Sequence, residues 1–222
     1  TGNKSFEKEK IYTYISDGGI QEEISQGAGR LAGYLGLDNL VMFYDSNGIQ
    51  LSTTCEDVSA EDTAMKYRAW NWNVLEIDGN DCEAIRGALL AAHEEHNRPT
   101  LIIGKCVMGK GCLRADGTSY ENDCGTHGCA LGEGAYENTI KNLGGNPGNP
   151  FVVWKETETL YAERKLELKE LVAQRKKEEN EWAAANPEKA RKLEDWFANR
   201  LPEIDWETIE QKPGKATRVG PQ

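Results

Sequence analysis

Four short runs of β-branched and aromatic residues constrain this chain most: IYTYIS at 11–16, LVMFY at 40–44, NVLEI at 73–77 and TLIIG at 100–104. Residues of these types suit a pleated surface. The segments between them have helical length and pattern. Ile20, Ile24, Ala28, Leu31 and Leu35 recur at helical spacing, which predicts a helix over 20–35. Gly27, Gly29 and Gly33 permit that helix to pack closely against a sheet, and Gly36 is a natural stop. Residues 60–70 and 81–96 read as two more helices, the latter with Ile85, Leu89 and Ala92 on one side. Strands that alternate with helices cannot be joined as hairpins. The pattern therefore predicts an α/β class with a parallel sheet and helices on both faces. LVMFY, continuously apolar, reads as a strand covered on both sides.

The character changes after Cys106. Residues 108–150, with many Gly and Asn, read as loop, and FVVW at 151–154 as a short extended piece. Residues 157–200 form a charged helical region that Asn186-Pro187 breaks in two. Leu193, Trp196, Phe197 and Leu201 give its second half an apolar face, and an extended or partly disordered tail follows from Pro202. The expected organisation is an α/β domain over 1–150, then a helical linker and tail over 151–222. No repeat of fixed period is present.

At 222 residues the chain is long enough for one substantial core with an appendage. Its net charge of −11 argues against a nucleic-acid or anionic-membrane partner. No apolar run approaches the roughly 20 residues that span a bilayer, and the polar opening TGNK is no signal peptide. A soluble, cytoplasmic protein is expected. The six cysteines are expected to be free thiols. CGTHGC, with Cys124, His127 and Cys129 and with Cys112 upstream, admits a zinc knuckle but lacks a paired C-x-x-C. His93 and His96 read as a solvated helix end, and Trp70 and Trp72 as core packing.

The first strand ends in Asp17-Gly18-Gly19 and the second runs into DSNGI. In open parallel sheets ligands sit outside the carboxyl ends of the strands. Asp17 and Asn47 are separated by one strand–helix–strand unit, which lays them side by side. An aspartate can neighbour a phosphate if Mg²⁺ or Ca²⁺ lies between them, and Asn47 with nearby carbonyls adds hard oxygen ligands. Ordinary β–α turns favour the same residues, so spacing alone leaves both readings open. A dinucleotide fingerprint is excluded. GAGRLAG at 27–33 does not fit G-x-G-x-x-G and lies inside the predicted helix.

The stretch SDGGIQEEISQGAGRLAGYLGLDNLVMFYDSNGI resembles the diphosphate-binding segment of transketolases, which opens Gly-Asp-Gly and closes on Asn at a similar remove. EDTAMKYRAWNWNVLEIDG, RPTLIIGKCVMGKG and GTHGCALG continue the likeness. EWAAANPEKARKL and the Pro202 region are similar to the family's interdomain linker. The resemblance implies an incomplete thiamine diphosphate-binding fold from an enzyme that moves a two-carbon ketol group between sugar phosphates of the pentose phosphate pathway. It implies that Asp17, the Asn47 side chain and the Ile49 carbonyl hold Mg²⁺ (or Ca²⁺), which holds the cofactor's diphosphate. Gly18 would let the backbone approach that group. Glu22 would belong to an acidic network at the subunit interface of a homodimer. His127 would stand near the thiazolium and the substrate and assist proton transfers; read alone it is a loop histidine bonded for packing.

Ser16 departs from the family's leading glycine. Family members also carry a segment before this region and a pyrimidine-binding domain after it. The chain alone is therefore expected to be an inactive fragment that self-associates through exposed strand edges. Alternatives are a non-catalytic interaction module of the same fold, dihydroxyacetone synthase, or 1-deoxyxylulose-5-phosphate synthase. The linker favours transketolase over the last.

Overall fold

The computed structural model describes residues 9–201, 203–205 and 214. Strands β1 (Ile11–Ser16), β2 (Leu40–Ser46), β3 (Asn73–Asp78) and β4 (Thr100–Lys105) form one parallel sheet in the order β1-β2-β4-β3. The most apolar run, β4, takes an inner place, with Leu101 and Ile102 fully buried. β1 lies at the edge and leaves Ile11, Tyr12 and Tyr14 exposed.

Successive side chains of a strand point to opposite faces, and each face has its own core. Met42, Tyr44, Leu101 and Ile103 meet Ile20, Ala32, Ala64, Tyr67 and Trp72 on one side. Val41 and Ile102 meet Ala88 and Ala92 on the other. The helices covering the first side are α1 (Asp17–Gln21), α2 (Glu23–Leu35) and α3 (Thr63–Ala69); α4 (Cys82–Glu94) covers the second. The expected α/β class with helices on both faces is what the chain forms. Trp72 is 2% exposed and donates through Nε1 to the Gly29 carbonyl at 2.7 Å, and Trp70 packs against the same core.

One expectation needs correction. The single helix over 20–35 is two, because Glu22 takes an extended conformation (ψ 134°) between α1 and α2. The apolar stripe of α2 also faces outward: Ile24, Leu31 and Leu35 are exposed, and Gly29, Ala32 and Gly33 are buried. The glycines decide this. A Cβ at Gly33 would lie 1.7 Å from the Trp70 carbonyl oxygen, so only the bare backbone can seat against that wall. Gly36 ends α2 in the left-handed region, at φ 60°.

The region read as loop holds a helix, α5 (Ala135–Asn142). The Glu137 carboxylate accepts the Gly134 amide at 2.7 Å, and Thr139 is buried and accepts the Leu113 amide through Oγ1 at 2.9 Å. Eight residues after a glycine-rich stretch gave too little periodicity to stand out. FVVW at 151–154 forms no strand and is exposed.

Helices α6 (Lys155–Ala185) and α7 (Pro187–Phe197) meet at the expected break. The chain divides into two compact units inside α6, between Glu163 and Arg164. α6 has no buried residue, and Trp196 and Phe197 of α7 are exposed. Apart from 203–205 and 214, the expected tail from Pro202 lies outside the described residues. Among the described residues no helix is long and apolar enough to cross a membrane.

Candidate functional site

Parallel pairing sets Ser16 beside Asp45, so β1 and β2 end at one level. Asp17 follows immediately, as the first residue of α1 rather than in an open turn, and is 2% exposed. Its Oδ1 accepts the Tyr44 hydroxyl at 2.5 Å. Its Oδ2 accepts two successive amides of the neighbouring loop, Asn47 N at 3.1 Å and Gly48 N at 3.0 Å. Gly48 at φ 76° turns the chain there, a conformation that glycine takes without strain. One buried carboxylate thus pins two loop tips together, and three donors compensate its loss of water.

Asn47 is held within its own loop. Its Nδ2 donates to Asp45 Oδ1 at 3.2 Å, and its Oδ1 accepts the Ile49 amide at 3.0 Å. Asp45 Oδ2 in turn accepts the Tyr14 hydroxyl at 2.5 Å. Ile49 is buried and bridges to Thr54. Burial, reinforced by Asp17, pushes the Tyr44 hydroxyl well above the usual phenol range. Burial and then Asp45 push Tyr14 up to about 12. Both phenols therefore remain donors at neutral pH. Cys106 is raised to about 12, first by burial and then by Asp45.

A cleft of about 470 Å³ opens beside Asp17, with Ile20, Tyr44, Gly48 and Cys55 in its wall. Glu56, Glu61, Asp62 and Glu76 also line it, against the single cation Lys105. Such a wall repels a bare diphosphate, and a bound divalent cation would reverse the local sign. The donor set fits one. An ionised carboxylate has about four acceptor positions, and Asp17 uses three of them here. The Asn47 oxygen likewise keeps one. Among the described residues no group of three or more His, Cys, Asp and Glu is gathered for a metal. A site built from one carboxylate, one amide and a main-chain carbonyl does not require such a group.

The other sequence candidates fall as follows. Gly18 is exposed in the first turn of α1, and a Cβ there would meet nothing within 4 Å. Glu22 is exposed at the break between α1 and α2. His127 ends the short turn Cys124–Thr126, and its Nδ1 is buried without a hydrogen-bond partner. Of these candidates only Asp17 lines the cleft; Asn47 joins it through Asp17, and Glu22 and His127 stand apart from its wall. All six cysteines are free. Tyr44 and Tyr14 escaped the sequence reading. The signal available was their place on paired strands, one and two residues before the level at which Ser16 pairs with Asp45.

The sequence profile described as "Transketolase, thiamine diphosphate binding domain" matches residues 2–202. The chain belongs to the transketolase family. It is 36% identical to transketolase 2 of Vibrio parahaemolyticus over 88% of its own length and 28% of that protein's. It is 32% identical to dihydroxyacetone synthase of Pichia angusta, over 90% of its own length and 28% of the relative's. A Pichia stipitis transketolase solved in complex with sedoheptulose 7-phosphate superposes with a TM-score of 0.79 at 28% identity, covering 93% of this chain and 30% of that one. The Leishmania mexicana transketolase gives 0.78 at 25% identity, over 91% and 30%. This transketolase-family chain therefore spans under a third of the length of these relatives.

Proposed function

We propose that this chain is the diphosphate-binding part of a ketol transferase. It would hold thiamine diphosphate through Mg²⁺ or Ca²⁺ bound by Asp17, the Asn47 side chain and the Ile49 carbonyl. The observation that carries the reading is the pair of hydrogen bonds from Asn47 N and Gly48 N to Asp17 Oδ2, which joins the two loop tips at one point. The cofactor, when bound, supplies the bond-making and electron-accepting chemistry. The chain's own residues anchor and orient. Asp17 contributes the charge, Asn47 and Ile49 contribute neutral oxygens, and exposed Gly18 leaves the rim open to close approach. His127 would serve proton transfers at the donor oxygen, and its unpartnered buried Nδ1 supports that role. Glu22 would face a second subunit, which its exposure permits. The substrates would be sugar phosphates. A pyrimidine-binding domain and the partner subunit of a homodimer would complete the active site.

Calorimetric titration of the chain with thiamine diphosphate tests the reading. Heat is expected with Mg²⁺ present and none in excess chelator; no heat in either condition leaves the non-catalytic module. The identity to dihydroxyacetone synthase keeps a second reading in view. Product analysis of the complete enzyme separates them, since release of dihydroxyacetone selects that reading and a new ketose phosphate the first.

A further inference from the structure

β1 and β2 pair with Tyr14 beside Phe43 and Ile15 beside Tyr44. Side chains alternate between faces, so the two tyrosines leave the sheet on opposite sides. Tyr44 belongs to the core of one face, and Tyr14 stacks on Phe43 of the other, with ring centroids 6.1 Å apart. Both reach up to the same rim, and each crosses to the other strand's end. The hydroxyl of Tyr44, from β2, meets Asp17 beyond β1 at 2.5 Å. The hydroxyl of Tyr14, from β1, meets Asp45 at the end of β2 at 2.5 Å. Asp45 in turn accepts Asn47 Nδ2 at 3.2 Å.

We propose that Tyr44 and Tyr14 are positioning residues, one for each side-chain ligand of the cation site: Tyr44 orients the Asp17 carboxylate, and Tyr14, through Asp45, orients the Asn47 amide. This rests on the reading of Asp17 and Asn47 as cation ligands. A carboxylate without a donor on Oδ1 can rotate about its last bond. With Tyr44 on Oδ1 and two amides on Oδ2, its plane is set. An amide can flip its oxygen and nitrogen. Asp45 accepts only from the nitrogen and so sets which end of Asn47 is oxygen. Tyr14 sets Asp45 in the same way.

The test compares the unsubstituted chain with Tyr44→Phe, Tyr14→Phe and the double variant. Thiamine diphosphate affinity is measured calorimetrically at fixed Mg²⁺. The melting temperature is recorded with and without both ligands. Tyr44→Phe is expected to weaken binding about tenfold, equivalent to about 1.4 kcal/mol, and Tyr14→Phe about threefold. The double variant should depart from the product of the two single effects, because Tyr44, Asp17, Asn47, Asp45 and Tyr14 form one connected hydrogen-bond network. Each variant's ligand-induced rise in melting temperature should shrink relative to its own ligand-free value. A purely structural role would lower the ligand-free melting temperature and leave both the affinity and that rise unchanged; such a result in both variants overturns the proposal. Tyr14 is 64% exposed, so Tyr14→Phe keeps the proposal open to refutation should Tyr44→Phe not fold. Absence of binding by the unsubstituted chain overturns the cation-site reading itself and this proposal with it. Equal binding by all four chains overturns this proposal alone.

Discussion

Asp17 pins two loop tips together and, on the proposed reading, would also hold the cation, so its substitution should reveal both roles. In Asp17→Ala, the Tyr44 hydroxyl and the amides of Asn47 and Gly48 lose their common acceptor. The Tyr44 hydroxyl is buried and the two amides are partly buried, and a buried donor left unpaired costs about 1–3 kcal/mol before relaxation. Urea unfolding is expected to show a net loss of about 3 kcal/mol, and Mg²⁺-dependent cofactor binding should fall below detection. Cys106 is raised from 9.0 to about 12 by burial and by Asp45. A raised pKa means that folding favours the neutral thiol. Its contribution to stability is complete below pH 9 and is lost as pH climbs from 9 toward 12. Tyr14 and Tyr44 shift in the same direction. The urea midpoint should therefore drop between pH 8.5 and pH 10.5, and Cys106→Ala should flatten the slope. A midpoint that rises with pH in that window would be the opposite of what this environment requires.

At the scale of elements, α2 rests on the sheet side through its smallest residues. Gly33→Ala is expected to destabilise the chain by about 3 kcal/mol, because the added carbon meets backbone, which cannot swing aside. Gly27→Ala, where a Cβ would find open space, should be neutral or slightly stabilising. Melting curves of the two variants check the contrast. The same helix shows what could be read from sequence. Periodicity announced a helix and a stripe, but not which side the stripe faces. Ile24, Leu31 and Leu35 point outward because Gly29 and Gly33 fit beneath Tyr67, Trp70 and Trp72, a fit that depends on residues forty positions away. The four strands were legible because each is short, apolar and β-branched. Their order was not, since β4 inserts between β2 and β3 for reasons of burial rather than of neighbourhood in sequence. At the site, the separation of Asp17 and Asn47 revealed their contact. The supports of Tyr44 and Tyr14 are set by strand register and by which face each tyrosine takes, neither of which one-dimensional spacing carries.

For the molecule as a whole, the balance lies between its charge and its exposed apolar surface. The net charge of −11 opposes association. Edge strand β1 exposes Ile11, Tyr12 and Tyr14, and α2 exposes Ile24, Leu31 and Leu35. At low ionic strength, repulsion between copies is least screened. Light scattering is expected to show self-association that grows with salt, and Ile24→Lys with Leu31→Glu should suppress it; a monomer at every salt concentration would refute this. Beneath all of these lies the proposed joint grip of two loop tips on one divalent ion. Mn²⁺ can stand in for Mg²⁺ during a titration of the ¹⁵N-labelled chain followed by NMR. The expected result is selective broadening of the Asp17, Asn47, Gly48 and Ile49 amides and of the Asn47 side-chain NH₂ at low Mn²⁺. Broadening centred on Glu56, Glu61 and Asp62, with the amides of residues 17 and 47–49 left sharp, would contradict it.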